Sequence, residues 1–152
     1  MRRLLAVLVT TAAIACTTSA RPGATPRDPP NPADERCARD TFVALVTAVN
    51  KGNRGVLTSL VSGEFMSLTL WGSTTYERRD AVERLLTISG SKEQWEIRHF
   101  DVNGRGSRGG VDFGVVIRRT GPGVPEPFRD WAGKGVLGCP AGGVMIFGLS
   151  GD

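Results

Sequence analysis

The chain contains a single histidine, His99, which stands two residues before Asp101 in a segment where apolar and polar side chains alternate. A β-strand puts residues i and i+2 on one face, so the alternation predicts that both share a face with Trp95 and Ile97. An imidazole or carboxylate in an apolar pocket has a shifted pKa and can act as a general acid or base. His99 and Asp101 are therefore the candidate catalytic residues.

Other interpretations of these residues stay open. A single histidine on a strand is more often a surface residue or a hydrogen-bonded core residue, and Asp101 stands next to a turn, where strand ends are solvated. Asp112 and Asp130 are further carboxylates that an acid/base mechanism could use. One histidine and three cysteines provide no metal-ligand spacing, so we predict no metal site.

The start of the chain has the pattern of an export signal. Arg2 and Arg3 precede an apolar run over residues 4–15, interrupted only by two threonines. Crossing a bilayer core takes roughly 20 apolar residues, so this run has the length of a signal peptide. Residues 13–16, Ala-Ile-Ala-Cys, resemble the bacterial lipobox. The resemblance implies cleavage before Cys16 and lipidation of its sulfur. The alternative is an ordinary secretory signal cut near Ala20.

Three segments follow from this start. Residues 1–15 are the predicted signal peptide, residues 16–33 a lipidated, proline-rich tether, and residues 34–152 the folded domain. Apart from residues 4–15, which are too few to span a bilayer, the sequence has no long apolar run. We therefore predict an exported protein that is anchored to the cell membrane, on its extracytoplasmic side, through lipid at Cys16.

A glycine-rich run, Gly104 to Gly109, matches the GxGxxG pattern of dinucleotide-binding proteins. That pattern requires a helix to follow, whose N-terminus binds the pyrophosphate. An alternating apolar segment begins at Val111 instead, which predicts a hairpin turn and no cofactor. The formal charge of +4 falls to about +2 once Arg2 and Arg3 leave with the signal, so nucleic-acid binding is not indicated either.

Assigning Cys16 to lipid leaves Cys37 and Cys139 as an even pair in an oxidising compartment. A bridge between them would close a loop on the order of 100 residues, for which chain entropy predicts ~4–5 kcal/mol of stabilisation. The alternatives are two free thiols, or Cys37 as a nucleophile, although no Cys-His signature accompanies it.

Apolar residues at helical spacing predict three helices, over residues 36–49, 53–61 and 78–88. Asn31 or Asp34 can cap the first and Gly52 can end it, while Ser62-Gly63 is expected to stop the second. The predicted strands are 64–71, a short one around Tyr76, 93–102, 111–118, 128–138 and 144–149. Gly133 and Gly135 predict a bulge or a strong bend. Helices followed by a strand meander indicate an α+β fold with its helices on one side of an antiparallel sheet.

The order of several short motifs then becomes informative. They are the helix end Ala-Val-Asn-Lys-Gly-Asn at 48–53, the short helix at 56–61, the opening Tyr-Glu-Arg-Arg-Asp-Ala-Val at 76–82, and the last strands at 133–136 and 145–147. Together they resemble the nuclear transport factor 2-like fold shared by ketosteroid isomerases, scytalone dehydratases and SnoaL-like cyclases. Arg78 replaces a glycine frequent in that family. The resemblance implies a curved, mixed or antiparallel sheet wrapped around a long N-terminal helix with two shorter helices, enclosing a cone-shaped pocket.

The predicted pocket residues are aromatic: Phe65, Trp95, Phe113 and Trp131. The family's catalytic Tyr/Asp pairs have no counterparts at matching positions. The leading hypothesis is therefore a non-catalytic cell-envelope lipoprotein whose domain binds a small apolar ligand or a protein partner. The alternatives are an isomerase, dehydratase or cyclase that uses His99 or a pocket Asp, and a structural module that forms a homodimer through the outer sheet face.

The cysteine assignment gives the first testable prediction. Alkylating reagents should label neither Cys37 nor Cys139 in the native protein and should label both after reduction, as measured by intact mass. Labelling of both thiols before reduction would rule out the bridge.

Overall fold

The computed structural model describes residues 30–67, 74–106, 109–124, 130–139 and 143–151. The predicted signal peptide, Cys16 and nearly all of the predicted tether lie outside these residues. The structure thus describes most of the predicted folded domain.

The described chain contains three helices, all in its first half: α1 (Pro32–Lys51), α2 (Arg54–Leu60) and α3 (Arg78–Gly90). α1 starts earlier than predicted because Asn31 caps it, accepting a hydrogen bond from the backbone N–H of Ala33 at 2.9 Å, and proline suits a first helical turn. Asn53 caps α2 in the same way through the N–H of Val56.

Six strands form one sheet in the described part of the chain. They are β1 (Val61–Ser67), β2 (Thr74–Glu77), β3 (Gln94–Arg105), β4 (Val111–Thr120), β5 (Asp130–Gly138) and β6 (Gly143–Gly151). Their order is β2-β1-β6-β5-β4-β3, with β1 and β6 parallel and the other neighbours antiparallel. This mixed sheet with three helices confirms the predicted α+β class. We call the side packed against the helices the inner face and the opposite side the outer face.

Two local predictions differ from the structure. Ser62 and Gly63 lie inside β1 and do not end α2, because Val61 already has an extended backbone (φ −81°, ψ 127°). Gly133 and Gly135 pair with β4 in even register, so the predicted bulge does not occur there, and the alternative of a strong bend stays a prediction. The register shift on the other side of β5 falls where Val136 and Leu137 pair with Ile146 and Val144.

A bulge in β3 overturns the most consequential sequence prediction. Ile97 pairs with Ile117 of β4 and His99 pairs with Val116, so Arg98 is an extra residue. An extra residue reverses the side to which the following side chains point, here as far as the second register shift of β3, between Val102 and Gly104. Trp95, 3% exposed, therefore shares the inner face with Phe100, 6% exposed, and His99 lies on the outer face.

The core forms where α1 lies along β3. Phe42 of α1 meets Phe100 of β3 and Phe113 of β4 with ring centroids 5.4 and 5.0 Å away, and the latter two rings stack at 5.3 Å. Such aromatic contacts add about 0.5–1.5 kcal/mol per pair beyond burial. The alternating burial predicted for β4 is confirmed, with its buried residues being Val111, Phe113, Val115 and Ile117.

Polar side chains fix α1 against β3 at both ends. The Arg105 guanidinium of β3 donates to both carboxylate oxygens of Asp34, at 2.8 and 2.6 Å. At the other end, the Asn50 amide donates to the carbonyl of Trp95 and accepts from its N–H, both at 2.8 Å. β3 is an edge strand, so Asn50 supplies partners that a neighbouring strand would otherwise provide.

Cys37 of α1 and Cys139, which follows β5, lie in disulfide geometry with their Cα atoms 6.0 Å apart and a sequence separation of 102. This Cα–Cα distance is typical of bridged cysteines. The bridge would join the start of α1 to the end of β5, next to the Asp34–Arg105 pair.

An exposed ion pair joins α2 to α3. The Glu83 carboxylate accepts two hydrogen bonds from Arg54, which lower its pKa, while desolvation opposes that shift. A lowered pKa means that this contribution is present above the ordinary carboxyl pKa and is lost as the pH falls through the lowered value. Because both groups are exposed, salt should weaken it.

The ends of α1 and α3 give a matched prediction. Gly52 and Lys92 occupy equivalent left-handed positions (φ 61° and 60°) and their turns have equivalent hydrogen bonds, but only Gly52 lacks a Cβ. Lys92→Gly should therefore stabilise the domain by about 0.5–1 kcal/mol, and Gly52→Ala should destabilise it by about 1–2 kcal/mol.

Urea unfolding monitored by circular dichroism measures both changes. An added Cβ at Gly52 would also approach Ser89 Oγ to 3.0 Å, which reinforces the expected loss. Destabilisation by Lys92→Gly would show that the lysine side chain matters more than its backbone strain.

Candidate functional site

Two of the predicted pocket residues converge at one end of the inner face. Trp95, the second residue of β3, pairs with Arg119 near the end of β4. Trp131, the second residue of β5, pairs with Ile117 of β4. Directly paired residues point to the same side of a sheet, so all four share the inner face. Glu93, which precedes β3, reaches into this group, and we call Glu93, Trp95, Arg119 and Trp131 the tryptophan–arginine cluster.

The Glu93 carboxylate is the centre of this cluster. It accepts a hydrogen bond from the Trp95 indole Nε1 at 2.7 Å and two from the Arg119 guanidinium, that from Nη2 at 2.8 Å. The side chains of Glu93 and Arg119 are only 11% and 12% exposed. Charge-assisted, bidentate pairs of this kind are the stronger class of hydrogen bond, and their burial makes each partner depend on the other.

Trp131 completes the cluster by stacking. The Arg119 guanidinium carbon lies 3.3 Å from the centroid of the Trp131 ring. A cation over an indole face is stabilised by the ring quadrupole, by up to about 2 kcal/mol when desolvated. Trp131 is itself only partly buried against the core, so the cluster reaches from the core to the surface.

Backbone geometry after α3 aims Glu93 at this position. The Glu93 N–H donates to the carbonyl of Ile88 at 3.2 Å and the Lys92 N–H donates to that of Ser89 at 2.9 Å, which closes the end of α3. Gly121, directly after β4, packs on this turn, since a Cβ there would lie 2.8 Å from the Lys92 carbonyl oxygen. The turn after α3 and the start of the segment after β4 therefore hold Glu93 over Arg119.

The predicted catalytic residues lie elsewhere. His99 and Asp101 contact each other on the outer face, with side chains 61% and 59% exposed. Asp130 pairs with Arg118 on the same face, at 3.1 Å for both hydrogen bonds. The prediction that His99 and Asp101 share a face with Trp95 was wrong, because the bulge at Arg98 reverses the alternation.

The remaining predicted pocket residues separate as well. Phe113 is 1% exposed and packs between Phe42 and Phe100 deep in the core. The side chain of Phe65 lies outside the described residues. Trp95 and Trp131 are thus the pair that the structure brings together, and a ligand pocket beside them stays a prediction.

Glu93 and Arg119 are the members of the cluster that sequence reasoning missed. A signal for Arg119 existed, because it continues the inward alternation of β4 two residues after Ile117. Glu93 gave no such signal, since it precedes the strand and its direction depends on the turn that ends α3.

Within the part of the chain that the structure describes, no group of three or more His, Cys, Asp and Glu side chains could hold a metal ion. None of the helices in that part is long and apolar enough to cross a membrane.

Similarity to known proteins lies in the fold. Neither the known family patterns nor the curated proteins match this sequence. A domain of unknown function with a cystatin-like fold from Nostoc punctiforme is 21% identical, with 80% of this chain and 79% of that one covered and a TM-score of 0.59. An NTF2-like protein of unknown function from Cytophaga hutchinsonii is 14% identical, with 75% and 88% covered and a TM-score of 0.51.

A third structure, from Streptomyces avermitilis, carries a provisional dehydratase name within the NTF2-like family. It is 14% identical, with 78% of this chain and 96% of that one covered and a TM-score of 0.63. These likenesses, together with the three helices and the mixed sheet, show that this chain has the NTF2-like fold.

The buried pair gives a stability prediction. Glu93→Gln leaves the Arg119 guanidinium buried without its counter-charge, so it should lower the free energy of unfolding by about 3–5 kcal/mol. Asp130→Asn is the matched control, because it removes a carboxylate from the exposed Arg118 pair on the other face and should cost no more than about 1 kcal/mol.

Urea unfolding of the two variants makes the comparison. Equal, small losses would contradict the buried position of Glu93.

Proposed function

We propose that this domain is a non-catalytic ligand-binding module of the cell envelope, which holds a small apolar ligand over the inner face beside Trp95 and Trp131. The observation that carries the proposal is the convergence of these two tryptophans in a cluster that extends from the core to the partly buried Trp131. Ligand sites combine apolar and aromatic side chains with a few fixed polar groups, and this cluster supplies two aromatic rings beside one fixed ion pair.

The placement of the acidic groups favours binding over catalysis. A general base needs a carboxylate or imidazole within hydrogen-bond reach of a bound substrate. Asp34 and Glu93, the buried acidic residues of the described chain, each accept hydrogen bonds from an arginine at both oxygens. His99 and Asp101 are exposed on the outer face. The dehydratase name of the Streptomyces avermitilis protein gives an enzyme as the alternative, and His99→Ala should abolish turnover if that alternative holds.

The envelope location rests on the sequence. Lipid at Cys16 would tether the domain to the extracytoplasmic side of the cell membrane through the proline-rich segment. The site at the tryptophan–arginine cluster lies at the C-terminal end of α1, opposite the end to which the tether connects.

A homodimer through the outer face is a second candidate, and one observation favours it. Val116 of β4 pairs directly with Ala132 of β5 on that face, and both are partly buried. The His99–Asp101 and Arg118–Asp130 pairs flank this small apolar strip. Apolar strips bordered by polar groups are common at protein interfaces.

Native mass spectrometry of the protein purified from its own host's envelope tests the proposal. We expect a retained small-molecule adduct. The adduct should be lost in a Trp131→Ala variant, because that change removes the partly buried ring against which the ligand would pack. A clean apo mass for the wild type would count against ligand binding, and a doubled mass would support the dimer.

A further inference from the structure

We infer that the ligand of this domain carries a carboxylate, which binds Arg119 and the Trp95 indole in place of Glu93. The inference rests on the proposed ligand-binding function and specifies its ligand: an apolar monocarboxylic acid. Glu93 then acts as an internal substitute that occupies the site until the acid arrives.

The donors around Glu93 form a complete carboxylate-binding set. Arg119 presents two N–H groups in a planar fork, and the Trp95 N–H approaches the oxygen that also accepts from Arg119 Nε. Trp131 backs the guanidinium and fixes its plane. Arginine stacked on an aromatic ring is well suited to bidentate recognition of carboxylates from any source, whether the chain itself or a ligand.

Exchange of one carboxylate for another avoids the main cost of opening a buried ion pair. Breaking such a pair is unfavourable because one charge stays buried without a partner. An incoming carboxylate keeps Arg119 paired, while Glu93 moves towards water. Gly90, Ser91 and Lys92, which immediately precede Glu93, are all exposed, so Glu93 projects from a turn that lies at the surface.

The rest of the proposed ligand is apolar and has its own neighbour in the cluster. The apolar body of the acid would rest against the partly buried Trp131, beside the arginine that binds its head group.

The competition between the two carboxylates can be measured on the wild-type protein. Tryptophan fluorescence and calorimetry should show binding of decanoate or phenylacetate, and binding of the matched primary amides, decanamide and phenylacetamide, should be at least about tenfold weaker. Removing the internal competitor in Glu93→Gln should tighten acid binding by about tenfold, because the site no longer has to be vacated first.

Two variants serve as controls. Arg119→Met should abolish acid binding while it keeps an apolar side chain against Trp131. Asp130→Asn removes a carboxylate from the exposed Arg118 pair and should leave acid binding unchanged.

Each outcome decides between the hypotheses. Equal binding of acids and amides would overturn the carboxylate inference and leave the proposed ligand-binding function standing. Failure of the wild type to bind any of the four probes would overturn the inference, and a clean apo mass in addition would overturn the proposed function. Acid binding by the Glu93→Gln variant, without acid binding by the wild type, would show that Glu93 is a permanent structural partner of Arg119.

Discussion

The fold depends on the way in which α1 lies along the edge strand β3. The Asn50 side chain bonds to both peptide groups of Trp95, and the Asp34–Arg105 pair fixes the other end of the helix. Between these ends, Phe42 packs on Phe100. The helix thus covers the strand edge and the core at the same time, and it sets the position of Trp95 on the inner face. An edge strand covered in this way is protected from pairing with other chains.

Local patterns predicted much of this arrangement. The helical face of α1 with Phe42 and Leu45, the caps at Asn31 and Gly52, and the alternation along β4 all follow from residues near in sequence, and the structure confirms them. Such features are predictable because each depends on a single helix or strand. The resemblance to the nuclear transport factor 2-like fold added the curved sheet around α1 but left its pairing open between mixed and antiparallel, and the parallel pairing of β1 with β6 decides for a mixed sheet.

The errors arose where the structure depends on pairing between strands. Arg98 looks like an ordinary polar position of β3, and only its lack of a partner in β4 makes it a bulge. One unpaired residue was enough to move His99 and Asp101 from the predicted pocket to the outer face. Glu93 shows the same limit, because a turn and a loop from another part of the chain determine its direction. Candidate sites inferred from strand alternation are therefore only as reliable as the assumed register.

Arg118 and Arg119 show how the sheet separates two roles for one residue type. They are adjacent in β4, and each holds a carboxylate with two hydrogen bonds, but Arg118 pairs with Asp130 on the outer face and Arg119 with Glu93 on the inner face. Water screens the outer pair, so its loss has little consequence for the fold. Burial and the Trp131 ring make the inner guanidinium dependent on a partner at all times. That constant requirement makes Arg119 suited to exchanging one carboxylate for another, which is the property that a site for apolar acids needs.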